Sequence, residues 1–229
     1  SGRAPMGRVF ASLCFLAHFA GLIASTGRSS ILILPAALLG TWCFVSDLRT
    51  GAMSGGSPEQ ALLSAAAGQM AHFYDLTGGP ASGMTDSKVP DGQAGAEKAL
   101  NHALVGNAGA NLIYESAGMH ASLLGYALES LVIDNDIIGA AQRTIKGIEV
   151  NEERLSFETI RDVCLNGPGH FLGSEQTLQL MQTEYLYPGV GDRKSPNEWT
   201  DQGALDVAAR AEQKVREILA HHYPAHVAE

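Results

Sequence analysis

The apolar positions of this chain change rhythm near residue 46. Before it lie two unbroken apolar runs with no charged side chain, Val9–Ser25 (VFASLCFLAHFAGLIAS, 17 residues) and Ile31–Val45 (ILILPAALLGTWCFV, 15 residues). After it, apolar residues recur at helical spacing. Ser57-Pro58-Glu59 opens a helix with a capping Ser, a Pro at the first helical position and an acid in the first turn. Leu62, Leu63, Ala66, Met70 and Phe73 then carry the period to about Tyr74. Residues 77–90 (TGGPASGMTDSKVP) are rich in Gly, Pro and Ser and predict a loop. A second helix is predicted from Asp91 to about Val105, a break over Gly106–Gly109, and a short buried strand at Asn111–Glu115. Helices follow at Met119–Ile133, Asn135–Ile145 and Leu155–Cys164, then a break at Gly167-Pro168-Gly169. Ser195-Pro196-Asn197-Glu198 reads as a capping box. A last helix, Asp206–His222, carries Val207, Ala211, Val215 and Ile218 on one face. Helices separated by short apolar strands predict an α/β fold with its chemistry in the strand-to-helix connections.

The two opening runs admit several readings. Both fall just short of the roughly 20 residues that span a membrane as a helix. Arg3 and Arg8 ahead of the first run, and Gly27-Arg28-Ser29-Ser30 between the two, suit a membrane hairpin. A basic start, an apolar stretch and small residues at Ala24 and Ser25 equally suit an export signal. A buried helix followed by a buried strand gives the same pattern, since parallel strands read as continuous apolar runs. Pro35 interrupts the second run and counts against a helix there. The organisation expected is therefore an atypical apolar segment over residues 1–45 and one continuous domain over 46–229.

Charge sharpens that boundary. The 229 residues hold 15 Lys+Arg and 24 Asp+Glu, for a net charge of −9. Three of the basic residues (Arg3, Arg8, Arg28) and none of the acids fall in residues 1–46, so the remainder is distinctly acidic. With 45% hydrophobic and 17% charged residues the chain is globular rather than disordered. Its acidity gives no electrostatic footprint for nucleic acid. Cys14, Cys43 and Cys164 form no CxxC pair, which predicts no disulfide framework and no zinc site, and favours a reducing, cytoplasmic setting with the thiols as small buried hydrophobes.

Three loops concentrate polar side chains around glycines. Ser46–Gly51 holds Asp47 and Arg49 where the second apolar run ends. If that run is a strand, they stand at its C-terminal end, the ligand-binding end in α/β proteins. Thr85–Asp91 holds Asp86, Lys88 and Asp91, with Gln93 and Glu97 in the helix beyond. Gly167–Phe171 holds His170. Each has a plainer alternative: an ion pair between Asp47 and Arg49, a helix cap at Asp91, solvated helix surface at Glu97 and Lys98, a satisfied half-buried His170. The clustering around residues 85–97 favours function there. Walker, GxGxxG, HExxH and GxSxG patterns are absent from the sequence, so nucleotide binding, zinc proteolysis and common serine hydrolysis have no motif behind them.

Taken in order, SDLRTGAMSGGSPEQAL (46–62), TDSKVPDGQAGAEKA (85–99), GANLIYESAG (109–118), ALESLVID (127–134), GPGHFL (167–172) and TEYLYPGVGDRKSPNEW (183–199) resemble the C-terminal half of the trimethylamine methyltransferase family. The resemblance implies a (β/α)8 TIM-barrel fold, here only the C-terminal half of the barrel plus C-terminal helices. It also implies a methyl group moving from a methylated amine to the cobalt of a corrinoid (cobalamin) carried by a partner protein, with no metal bound by this chain. Reduced cobalamin is itself the nucleophile, so the protein's task is to place a small cation in line with it. Carboxylates and aromatic faces suit that cation.

On this basis Asp86, Lys88, Asp91 and Glu115 are candidate catalytic residues, and Asp47, Arg49, Gln93, Tyr114 and His170 candidate substrate contacts. Some relatives carry pyrrolysine and act on trimethylamine. This chain has none, with Lys88 in a suitable region, which points to a quaternary amine such as glycine betaine. The chain is about half the family's length, and a whole barrel needs about 250 residues. An open sheet edge would call for a covering chain, so a homo-oligomer is expected. The alternative is a truncated remnant serving at most as an amine-binding module. The acid-free start then reads as a displaced segment standing where a barrel helix and strand should be.

Overall fold

In the computed structural model the described residues are Leu38–Leu39 and 43–222. Val9–Ser25 and most of Ile31–Val45 therefore lie outside them, and with them the choice among membrane, export and buried readings. Among the described residues no helix is long and apolar enough to cross a membrane.

Parallel pairing sets the frame. Strand β1 (Leu38–Leu39) runs parallel to β2 (Thr77–Gly78), with Leu38 opposite Thr77 and Leu39 opposite Gly78. Helix α1 (Pro58–Phe73) lies in the crossover between them, since parallel neighbours cannot be joined by a hairpin. The arrangement repeats. Helix α2 (Gly92–Asn107) connects the β2 segment to residues 111–114. There Leu112 N–H donates to the Gly78 carbonyl (3.1 Å), Tyr114 N–H to Pro80 (3.2 Å) and Ser82 N–H to Tyr114 (3.0 Å), closing a parallel bridge between Ala81 and Tyr114. The strand expected at Asn111–Glu115 is reduced to a single bridge at Tyr114 with backbone bonds from Asn111 and Leu112 to Gly78, and its residues are half-buried or exposed instead of buried. Among the described residues no further strand lies beyond it to cover it.

Helix α1 forms where the sequence predicts, with the Ser57 side chain accepting from Gln60 N–H. It turns its small residues inward. Ala61, Ser64, Ala65, Ala67, Gly68 and Ala71 are buried together with Gln60, because the sheet approaches closely: a Cβ on Gly78 would stand 3.0 Å from Ala71 Cβ. Leu62, Leu63, Met70 and Phe73, whose spacing predicts the helix, lie on its exposed side, Leu62 at 63% and Phe73 at 60%.

Helix α2 packs between α1 and α3 (Leu128–Lys146), and α3 packs on α8 (Val207–His221). The two helices expected over 119–145 are replaced by a hairpin and one helix. Strands β3 (Met119–His120) and β4 (Gly125–Tyr126) pair antiparallel, and α3 then runs unbroken for 19 residues. Ala121, Ser122 and Leu123 have φ of +49°, +50° and +78°, values no right-handed helix accommodates. Helices α4 (Glu152–Leu155), α5 (Phe157–Leu165), α6 (Glu175–Thr183) and α7 (Pro196–Asp201) bury no residue. The capping box at Ser195 and Glu198 is present. Cys164, expected inside, is exposed because α5 has no inner face, and Cys43 is half-buried.

Candidate functional site

Three loops meet at the C-terminal ends of the parallel segments: 54–57 ahead of α1, 82–87 after β2, and 115–122 after residues 111–114. Their meeting point is the Asp86 carboxylate. The hydroxyls of Ser54 and Ser122 and the Gly56 N–H (3.2 Å) all donate to it. Ser122 Oγ accepts in turn from Gly55 N–H at 2.8 Å. Partial burial pushes Asp86 up, but the Ser122 and Ser54 hydroxyls and the Gly56 and Gly55 amides outweigh it and hold the carboxyl below its usual value of 3.8. The group is anionic at neutral pH.

Glycines permit this convergence. A Cβ on Gly56 would run into the Glu97 carboxylate and stand 2.7 Å from Asp86 N; one on Gly55 would lie 3.1 Å from Met84 Sδ and 3.5 Å from Ser122 Oγ. Met84, fully buried, is the apolar floor beneath the Gly55 backbone. Gly83 has φ +96°, and a Cβ there would stand 2.6 Å from the Ser116 carbonyl, so the turn from β2 into the site requires glycine.

A second layer ties the loops together. Glu97 accepts from Thr85 Oγ1 (2.5 Å), Asp86 N–H (2.8 Å) and Gln93 Nε2 (2.8 Å). Glu97 and Lys98 are therefore not solvated helix surface. Lys98 is 1% exposed and pairs with buried Asp134 at 2.6 Å, whose carboxylate also accepts Gly118 N–H at 2.7 Å. Two buried histidines bridge the same loops. His102 donates from Nε2 to the Ser116 carbonyl (2.9 Å), leaving Nδ1 to accept from Ser82 Oγ (3.3 Å). Burial lowers its pKa, so it is neutral. His120 donates from Nδ1 to the Ser87 carbonyl (3.1 Å) and accepts from Ser130 Oγ at Nε2 (2.5 Å).

Glu115 opens the third loop with φ +58°, unusual for a residue with a side chain. Its Oε2 is buried without a hydrogen-bond partner among the described residues, and burial raises its pKa. An acceptor in that state has lost its water without gaining a bond in exchange.

The other candidates fall in varied places. Lys88 is exposed, with its ammonium on the Asp86 carbonyl at 2.7 Å. Asp91 caps α2 by accepting Ala94 N–H at 2.9 Å. Tyr114 is half-buried and supplies the backbone bonds to Pro80 and Ser82. Asp47 and Arg49 form an ion pair of 2.6 Å in an exposed turn, where the Arg49 side chain holds Asp47 below its usual pKa. His170 is exposed in the turn between α5 and α6. Sequence reasoning missed Ser54, Ser122, Met84, His102, His120 and the Lys98–Asp134 pair. The glycines flanking Ser54 and the polar residues at inward helix positions are the signals that could have located some of them.

A family profile described as "Trimethylamine methyltransferase (MTTB)" matches residues 34–229. The chain belongs to this family. The trimethylamine methyltransferase MttB of Methanosarcina thermophila is 42% identical over 176 residues, covering 77% of this chain and 36% of that protein. The glycine betaine methyltransferase of Desulfitobacterium hafniense (strain Y51) is 31% identical over 188 residues, 82% of this chain and 38% of that protein. A trimethylamine methyltransferase MttB from D. hafniense (strain DSM 10664 / DCB-2) is 32% identical over 187 residues, 82% and 37%. The match lies in the C-terminal part of these family members, and the chain spans little more than a third of their length.

Proposed function

We propose that this chain contributes the amine-binding part of a methyltransferase that moves a methyl group from a methylated amine to the corrinoid of a partner protein. The substrate read from the chain is a quaternary amine such as glycine betaine, with trimethylamine the other member of the class. The observation that carries the reading is the anionic Asp86 at the meeting point of three loops, in a chain whose family relatives bear methylated-amine names. The site stands at the C-terminal ends of parallel strand–helix units, where a (β/α)8 barrel carries its chemistry. These units are read as the C-terminal half of such a barrel.

The partner's corrinoid is a co-substrate, supplying the electron pair that forms the new carbon–cobalt bond while the pair of the broken carbon–nitrogen bond stays on the departing amine. The chain's own residues bind and aim. A quaternary ammonium has no N–H to donate, so it is held by charge and by close-fitting walls. Asp86 offers the charge, the Gly55 backbone backed by the buried Met84 offers a wall, and Glu115 stands in the third loop as a second carboxyl. Asp91, Gln93 and Glu97 act as positioning residues: the first starts α2, Glu97 holds Thr85 and Asp86, and Gln93 holds Glu97. Positive charge on the nitrogen falls as the methyl leaves, so a fixed carboxylate favours the bound substrate over the transition state. Asp86 therefore serves affinity and alignment more than the chemical step.

Full chain mixed with a reduced corrinoid protein and glycine betaine, followed by the change in the corrinoid absorption spectrum, tests the proposal. Methylation with a quaternary amine is the expected result, and no turnover with any betaine or methylamine overturns it. A second reading rests on Asp86 serving affinity more than the chemical step: a module that binds amines without transferring methyl. Saturable binding of glycine betaine with no corrinoid methylation would select it.

A further inference from the structure

We propose that a second site, separate from the three loops, binds a phosphate-bearing small molecule. It is an open groove of about 450 Å3 between the segment Tyr187–Lys194 and α8. Its distinguishing feature is charge. Of the 12 basic residues in the acidic stretch 47–229, four line this groove: Arg193, Lys194, Arg210 and Lys214. Only Asp192 and Glu217 oppose them among the lining residues. The excess of two positive charges matches a phosphate monoester dianion.

Two of the cations, Arg193 and Arg210, have no carboxylate partner among the described residues. Arg210 is fixed by donating to the carbonyls of Val190 (2.8 Å) and Leu205, neutral acceptors that orient a guanidinium without cancelling its charge. Lys194 donates to the amide oxygen of Gln202, with the Glu198 carboxylate near enough to feel its charge. Lys214 is paired with Glu217 at 2.9 Å. Arg193 makes no hydrogen bond or ion pair with the described residues and is exposed, leaving its five-donor fork free for an oxyanion.

The wall is built before any ligand arrives. Asp136, on α3, takes the amides of Gly189 (2.7 Å), Val190 (2.8 Å) and Gly191 (2.9 Å), and Arg210 on α8 holds the Val190 carbonyl from the other side. The loop that presents Arg193 and Lys194 is thus pinned between two packed helices. At the rim Tyr187 stacks on Tyr185, with centroids 6.4 Å apart, offering an aromatic face to any ring attached to the phosphate.

Calorimetric titration of the full chain with inorganic phosphate and with adenosine monophosphate, at constant ionic strength set by chloride, tests the site. Saturable binding is expected, weakened at least tenfold in Arg193→Ala and in Lys214→Ala. Both side chains are solvent-accessible, so circular dichroism is expected to match the parent chain. Binding of phosphate alone assigns a free-phosphate site; tighter binding of the nucleotide assigns a phosphoryl group carried on a ring. Absence of saturable binding with both probes, or equal affinity in the two variants, overturns the proposal. Methyl transfer does not enter this readout, so the outcome is independent of the first site.

Discussion

Asp86 is bonded by two hydroxyls and a glycine amide, and its acidity follows from that shell. A carboxyl held below its unfolded value contributes stability that is present above pH 3.8 and is lost as pH falls through the folded value. Acid unfolding of Asp86→Asn is therefore expected to depend less on pH below that point than in the parent chain. In the proposed reaction the same variant is expected to raise KM roughly 10- to 100-fold with a smaller change in kcat, as measured by corrinoid methylation. Glu115 behaves in the opposite sense. Burial raises its pKa, so its stabilisation is present below 4.5 and is lost as pH rises through the folded value. Glu115→Gln removes the buried charge and is expected to melt at or above the parent temperature at pH 8. The difference should shrink toward pH 4.

Close approach is the governing feature among the elements. The loop before α1 can reach Asp86 and Glu97 only because residues 55 and 56 lack a Cβ. Gly56→Ala is expected to cost about 1–3 kcal/mol in chemical denaturation, and to displace either the Glu97 carboxylate or the Asp86 backbone. Between helices, the Lys98–Asp134 pair holds α2 to α3 and, through Gly118, holds the third loop. Lys98→Met leaves an unpaired buried carboxylate and should cost roughly 3–5 kcal/mol. Lys98→Met with Asp134→Leu should recover much of that loss, a double-mutant cycle readable from denaturation midpoints. Recovery of stability need not restore the third loop, because Gly118 N–H would still lack its acceptor.

Across the whole molecule, much apolar surface faces outward. Leu62, Leu63, Met70 and Phe73 on α1 are exposed, as are Phe157, Leu165, Leu172 and Leu178 on and between α5 and α6. Monomers rarely expose contiguous apolar patches of more than a few hundred Å2. The purified chain is expected to bind the dye ANS at neutral pH without denaturant, and Leu62→Gln with Phe73→Gln to reduce that fluorescence.

Helix positions were legible in the sequence where local chemistry decides them. Ser57, Asp91, Ser195 and Asp206 each cap a helix, and capping needs only residues within one turn. The motif series also placed the chain in its family, because a motif is read along the chain. Tertiary structure alone decided which face of α1 is buried, since the distance to the sheet, not the periodicity, selects small residues there. It alone turned residues 119–126 into a hairpin, through three successive left-handed residues that propensity does not foresee. Most of all it made the site. Asp86 meets Ser54 from 32 residues away and Ser122 from 36, and Lys98 meets Asp134 from 36. Such contacts depend on how strand–helix units stack, which no local pattern encodes.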